Sequence, residues 1–265
     1  MTRNTFLIPT PSPIGTGGGS PILAAQDYQR ALELRQMAMT YDDLPRYWLA
    51  PEVAALLHYL DDWYQHALIN LLWNTGPRIN EALGVVRRDF RLNVAMPHVV
   101  YRTAKQRRAG PGRPKKGKSA HRIVPITDPV VVDELRRLFA STKEQFEVNA
   151  VTGERTPLPV WQISDRSVRN WLTKAQERAR RDGVNFTTPA TPHLFRHSYA
   201  MHMLYQRTPL KVLQALLGHE KLESTEVYTK VFALDMVASH QVQFTLPAQD
   251  ALEMMRSASV PKEDF

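Results

Sequence analysis

The sequence predicts a mainly α-helical fold with a small antiparallel β-sheet, an α+β class, on three observations. Proline recurs where it suits the first turn of a helix, at Pro51, Pro77, Pro129, Pro192 and Pro209, since its missing N–H would be unpaired there anyway. Apolar residues recur at helical spacing, as at Ala67, Leu68, Leu71 and Leu72, which marks a buried helix face. Two runs, Val99–Thr103 and Ile123–Ile126, flank a long basic turn and read as strands.

In chain order, residues 7–22 are rich in Pro, Gly, Ser and Thr and predict a flexible arm. A short amphipathic helix follows from Gln26 to about Met39, and the compact domain begins near Trp48. A helix is expected between about Trp63 and Trp73. The capping pairs Asp128-Pro129, Thr191-Pro192 and Thr208-Pro209 open three more. Asp165–Arg181 reads as a strongly basic helix with an apolar face at Val168, Trp171, Leu172 and Ala175. The division expected is an arm with a short helix at 1–47, the domain at 48–235 and a mostly polar tail at 236–265.

Composition narrows the function. A formal charge of +8 over 265 residues points to an anionic partner. Cysteine is absent, which excludes disulfides, thiolate zinc sites and thiol catalysis. No apolar run approaches membrane-spanning length, and the first residues lack the charged-then-apolar layout of a signal peptide. The expectation is a cytoplasmic protein with no membrane partner.

Four segments carry chemistry. Arg78 follows a proline at a helix start, with Glu81 three residues on and so on the same face. Alone, that is a surface ion pair; with other cations it is a phosphate clamp held by its carboxylate and aided by the helix N-terminus. His193 and Arg196 stand i, i+3 in a first turn and can face one ligand, although an isolated His-x-x-Arg is usually structural. His197 and His202 give that segment a zinc-like look, but the Glu of a His-Glu-x-x-His site and cysteine partners are both missing, so no metal is expected. His219 follows Gly218 at a helix C-terminal corner, and Tyr228 lies nine residues further on, where a helical tyrosine is ordinarily packing.

The fourth segment, 100–122, carries Arg102, Lys105, Arg107, Arg108, Arg113, Lys115, Lys116, Lys118 and Arg122 and no acidic residue. Such a charge density on a Gly/Pro-punctuated turn cannot form a core and suits a nucleic-acid backbone. Gly112 to Ser119 formally matches a phosphate-loop pattern. That mechanism needs a helix immediately afterwards, whereas His121–Ile126 reads as a strand, and Pro114 removes one of the N–H donors. Nucleotide binding is therefore rejected.

Taken in order, Thr75-Gly-Pro-Arg78-Ile-Asn-Glu81, Thr191-Pro-His193-Leu-Phe-Arg196-His197 and Leu216-Leu-Gly-His219 through Tyr228 resemble the three boxes of the tyrosine recombinases, or phage integrases, over about residues 48–235. Within that family the run from Ser224 to Asp235 looks most like the plasmid-borne resolvases. The resemblance implies the family's catalytic-domain fold and a site-specific DNA recombinase that cuts through a 3′-phosphotyrosyl link without cofactor or metal. Tyr228 would be the nucleophile, Arg78 and Arg196 the charge stabilisers, and Glu81 a support for Arg78. His193 would assist proton transfer from the tyrosine, and His219 would bond a phosphate oxygen.

The family lysine, which would protonate the leaving 5′-oxygen, aligns with Lys105. The hairpin turn is longer than the family's usual one, so Lys118 and Lys116 stand as alternates. Arg107, Arg108, Arg113, Lys115, Lys116 and Lys118 would bind the DNA backbone. Fewer than 50 residues precede the domain, too few for the family's separate clamp domain. Binding would then lean on the catalytic domain, on neighbouring protomers in a homotetramer on synapsed double-stranded DNA, and on accessory DNA-binding proteins, with the tail docking on a neighbour. The expected task is resolution of plasmid multimers, in association with the nucleoid or plasmid. The alternatives are an integrase or invertase of the same chemistry, a topoisomerase-like relaxase, and a regulator that binds without cutting.

Overall fold

The computed structural model describes residues 28–29, 31–33, 35–36, 40, 45–102, 121–229 and 233. Helix α1 (Ala50–His58) starts with Pro51 in its first turn, and the Glu52 carboxylate accepts the Leu49 N–H at 2.7 Å. Helix α2 (Trp63–Thr75) is capped by Asp62, which accepts from the N–H groups of Tyr64 and Gln65 at 2.8 and 3.0 Å, and it ends on left-handed Gly76. A single turn, α3 (Ile79–Ala82), and a 3₁₀ turn at Arg87–Asp89 lead into the sheet.

The sheet is antiparallel, in the order β1 (Phe90–Arg91), β2 (His98–Arg102), β3 (His121–Pro125). Val100 pairs with Ile123 and Arg102 with His121, which closes the ends of the basic segment against each other. Lys105, Arg107, Arg108, Arg113, Lys115, Lys116 and Lys118 lie outside the described residues, as do the arm at 7–22 and the tail beyond 233.

Four helices follow: α4 (Pro129–Ser141), α5 (Asp165–Arg181), α6 (Pro192–Tyr205) and α7 (Leu210–Leu217), then a short one, α8, over residues 223–229. Asp128, Ser164 and Thr191 cap the first three of these. Pro51, Pro129 and Pro192 take the first-turn positions that the sequence predicts. Pro77 and Pro209 stand just outside their helices, because Arg78 and Pro209 are themselves extended, with ψ of 147 and 138°.

A second hairpin, β4 (Phe146–Val148) with β5 (Arg155–Pro157), is not predicted by periodicity. Its residues are mostly exposed on both faces, so no alternation of apolar and polar residues forms. No described helix is long and apolar enough to cross a membrane.

Helix α2 is the central element, with Leu68, Ile69, Leu71 and Leu72 fully buried and the helix packed against α1, α4 and α6. The main core also takes Trp48, Leu135, Trp161, Leu172 and Phe195. A second apolar cluster gathers Tyr47, Leu49, Tyr199, Met201, Leu204, Leu213, Leu217 and Tyr228, and Ala31 from the upstream helical residues joins it. Those upstream residues are fastened by Arg35. Its guanidinium donates to both oxygens of Glu52 at 2.6 and 3.1 Å, to the Tyr47 carbonyl at 3.0 Å and to the Thr187 hydroxyl at 3.1 Å.

Both members of the Arg35–Glu52 pair are almost fully buried, so removing one leaves the other as an uncompensated interior charge. Arg35→Ala is expected to lower unfolding free energy by about 3–5 kcal/mol, read as a lower urea midpoint at unchanged slope. A loss under about 1 kcal/mol, the scale of an exposed pair, would contradict firm docking of the upstream residues.

Candidate active site

Three helix ends meet around one cavity of about 400 Å³, lined by Pro45, Arg78, His193, Arg196, His197, His219, Ser224, Val227 and Tyr228. The C-terminal corner of α2 supplies the first wall. Gly76 adopts φ 56°, and a Cβ there would collide with the ring of Tyr199. Glycine is required twice over, by conformation and by contact. The chain then extends through Pro77, leaving Arg78 as the N-cap of α3 with its side chain about half exposed into the cavity.

Glu81 fixes that arginine. One carboxylate oxygen accepts the Arg78 backbone N–H at 2.8 Å and the Arg122 Nη2 at 2.8 Å, while the other accepts Arg78 Nη1 at 3.2 Å. Burial pushes the Glu81 carboxyl upward. The hydrogen bond and charge of Arg122, with the backbone and charge of Arg78, overcome it and hold the group below the usual carboxylate range.

Arg196 enters from the first turns of α6 and is only 2% exposed. Its Nη1 donates to the Gly76 carbonyl at 2.7 Å and its Nη2 to the Leu217 carbonyl at 2.6 Å. One guanidinium thereby ties the corner of α2 to the corner of α7 and still lines the cavity. Burial, then the nearby Arg78 and Arg122, lowers its pKa to about 10, so it remains a cation near neutral pH.

Helix α7 stops at left-handed Gly218, which turns His219 into the cavity, where its Nδ1 is 2.8 Å from the Thr225 hydroxyl. Helix α8 brings Tyr228 back beside α6. The Tyr228 residue is 2% exposed and sits in the second apolar cluster, while its hydroxyl is 2.8 Å from Nδ1 of His197. Burial raises the phenol to about 12 against the opposing pull of Arg196 and Arg78. Burial, then the neighbouring cations and histidines, lowers His197 and His219 to about 4 and lowers His193 as well. The histidines are therefore neutral near pH 7.

The structure thus brings together Arg78, Glu81, His193, Arg196, His219 and Tyr228. His202 lies outside the cavity, its ring 4.9 Å from that of Trp73. Among the described residues no group of three potential ligands could hold a metal ion.

Two participants escape a reading of motifs. Arg122, within the basic segment by sequence, is 7% exposed, lies 4.9 Å over the Tyr101 ring and closes on Glu81. Its Nε and Nη1 have no hydrogen-bond partner among the described residues. The available signal was strand alternation, since Arg122 shares the inward face of β3 with Val124. His197, and not His193, makes the bond to Tyr228; the two imidazole rings stand 4.5 Å apart, edge to face. Its signal was the i, i+4 spacing from His193.

Comparison with known proteins identifies the family and the fold. The profile described as the phage integrase family matches residues 47–234. A protein named resolvase from Escherichia coli (strain K12) is 48% identical over 263 residues, 97% of each chain. Another Escherichia coli resolvase is 50% identical over 238 residues, 88% of this chain and 92% of that one. Among solved structures, XerA recombinase is similar in fold, with a TM-score of 0.54 at 20% identity, covering 82% of this chain and 77% of that chain.

The lowered histidines make stability depend on pH. Between 6.5, the value of an exposed imidazole, and about 4, the unfolded chain binds protons that the folded His197 and His219 do not. Stability is therefore expected to fall as pH drops through that window, with Glu81 adding to the loss below it. Urea denaturation at pH 7 and pH 5 measures the effect, and His219→Gln should flatten the slope. Equal stability of the unaltered protein at both pH values would contradict neutral, buried imidazoles.

Proposed function

We propose, because the chain belongs to the phage integrase family and is a tyrosine-type site-specific DNA recombinase, that its task is to resolve plasmid multimers. The observation that carries the reading is the Tyr228 hydroxyl set in the wall of a cavity ringed by Arg78, Arg196 and His219. Similarity to proteins named resolvase across nearly the whole chain favours resolution over integration or inversion.

In this reading the Tyr228 oxygen attacks the scissile phosphorus, and the bond from phosphorus to the 5′-oxygen breaks. A 3′-phosphotyrosyl link and a free 5′-hydroxyl result. Arg78 and Arg196 face the charge that grows on the non-bridging oxygens, already oriented by Glu81 and by two backbone carbonyls. Preorganised donors of this kind are the largest catalytic resource available to such a site. His219 hydrogen-bonds a phosphate oxygen, and Lys105 protonates the departing 5′-oxygen. The 5′-hydroxyl of a partner duplex then reverses the step, so phosphodiester energy is kept in the covalent link.

The exposed Arg166, Arg169, Lys174, Arg180 and Arg181 of α5 give a cationic surface beside the site, where Arg169 is near enough to depress His193. With the basic segment, that surface supports binding to double-stranded DNA whose affinity falls with salt. Assembly as a homotetramer on synapsed sites, accessory DNA-binding proteins and a cytoplasmic, plasmid-associated location complete the proposal.

The test is incubation with nicked duplexes carrying inverted repeats from the protein's own replicon. The unaltered protein should form a denaturant-resistant adduct, Tyr228→Phe none, and Arg78→Ala or Arg196→Ala an adduct formed at least ~10²-fold more slowly. A plasmid with two directly repeated sites should yield two circles. Absence of any adduct would favour a regulator that binds without cutting, and preferential inversion or integration would overturn multimer resolution.

A further inference from the structure

Tyr228 must lose its hydroxyl proton as its oxygen bonds to phosphorus. Among the described residues its hydroxyl is bonded to one side chain, the imidazole of His197, with Nδ1 2.8 Å from the phenolic oxygen. The two rings are tilted, with centroids 5.7 Å apart, so the contact runs edge to edge through the hydrogen bond and is not a stack. His197 sits on α6 one turn after His193 and directly after Arg196, and it lines the same cavity. Resting on the recombinase reading of this site, we propose that His197, through Nδ1, is the base that removes the Tyr228 proton during DNA cleavage.

The step balances without another reactant. The Nδ1 lone pair takes the proton, and the former O–H electron pair forms the bond from the Tyr228 oxygen to phosphorus. The electron pair of the broken bond leaves on the 5′-oxygen, which takes its proton from a separate donor. In religation the 5′-hydroxyl attacks, giving its proton back to that separate donor, and the His197 imidazolium returns its proton to the departing phenolate. One residue serves both directions, as microscopic reversibility demands.

The surroundings set when transfer happens. Around the pair stand His193 and Arg196 from α6, Arg78 at the start of α3, His219 from the corner after α7, and Tyr228 from α8. Before DNA binds, burial and then the charge of Arg196 keep the imidazole a poor base, while burial keeps the phenol a weak acid. The proton stays on the tyrosine, and the nucleophile is docked but silent. A phosphate entering among Arg78, Arg196 and His219 brings negative charge, which offsets the cations facing His197 and raises its proton affinity. His193, one ring behind, is left to face the phosphate.

The geometry requires the His197 tautomer with hydrogen on Nε2 and a free Nδ1. Nitrogen-15 spectra of histidine-labelled, DNA-free protein at pH 7 should show Nδ1 unprotonated; a protonated Nδ1 would overturn the proposal, because it could donate to the phenol but not accept from it. With a nicked duplex on which the unaltered protein forms its adduct, His197→Gln and His197→Asn should cleave about 10²-fold more slowly or worse, with unchanged DNA affinity and melting temperature. Placing 3,5-difluorotyrosine, a more acidic phenol, at position 228 should restore at least about tenfold of the His197→Gln loss. A defect that the acidic phenol does not relieve would mark His197 as structural, and a full rate in both variants with the loss transferred to His193→Gln would assign the base to His193. Absence of any adduct with the unaltered protein would overturn the recombinase reading itself, and is separately visible, since the ring spectrum needs no DNA.

Discussion

The guanidinium of Arg196 is the constraint on which the site depends. Two helices, α2 and α7, end facing each other, and the carbonyls of Gly76 and Leu217 at those ends have no continuing helix to receive them. Arg196 answers both with two short bonds from a buried, planar fork. A lysine could not span them, because its ammonium is a single point on a flexible stem. The charge that would stabilise a phosphorane is therefore also the strut that gives the cavity its shape. Its orientation is fixed before any ligand arrives.

Around that strut the electrostatics are arranged by one carboxylate. Glu81 balances part of the charge of Arg78 and Arg122, which would otherwise repel each other and Arg196 across a poorly screened interior. The site keeps a positive excess, three arginines to one glutamate. That excess attracts an anion and adds to the burial that holds the histidines neutral, so that they can accept protons. Arg122 extends the arrangement to the sheet, since it lies over Tyr101, meets Glu81 and occupies the space a side chain at Gly218 would need, beside His219. The strand that leads from the basic segment is thus joined directly to the residues around the cavity.

Tyr228, the proposed nucleophile, is embedded in the fold as much as in the cavity. Tyr228 shares an apolar cluster with Tyr47, Leu49 and Ala31, and Arg35 ties the upstream residues to Glu52, 17 positions further along the chain. Packing of residues far upstream and placement of the reactive oxygen are then one problem. A ring held this way loses little freedom when it reacts, which is what positioning contributes to rate.

The sequence by itself determined the fold class, most helix starts and the set Arg78, Glu81, His193, Arg196, His219 and Tyr228. The fold class and helix starts follow from rules that act within one turn or one strand, such as a capping side chain, a proline or a glycine at a corner. The residue set follows instead from the resemblance of the ordered boxes to the family. It also supported the ordered boxes by which the family is recognised. It did not reveal the β4–β5 hairpin, whose exposed strands carry no alternation. Nor did it separate Arg122 from its solvated neighbours, or His197 from His193. Those assignments rest on contacts between residues far apart in the chain, Arg122 with Glu81 and His197 with Tyr228. Whether an arginine in a basic run turns inward, and which of two adjacent imidazoles meets a phenol, is decided by how helices and sheet pack, because only that packing sets burial and distance.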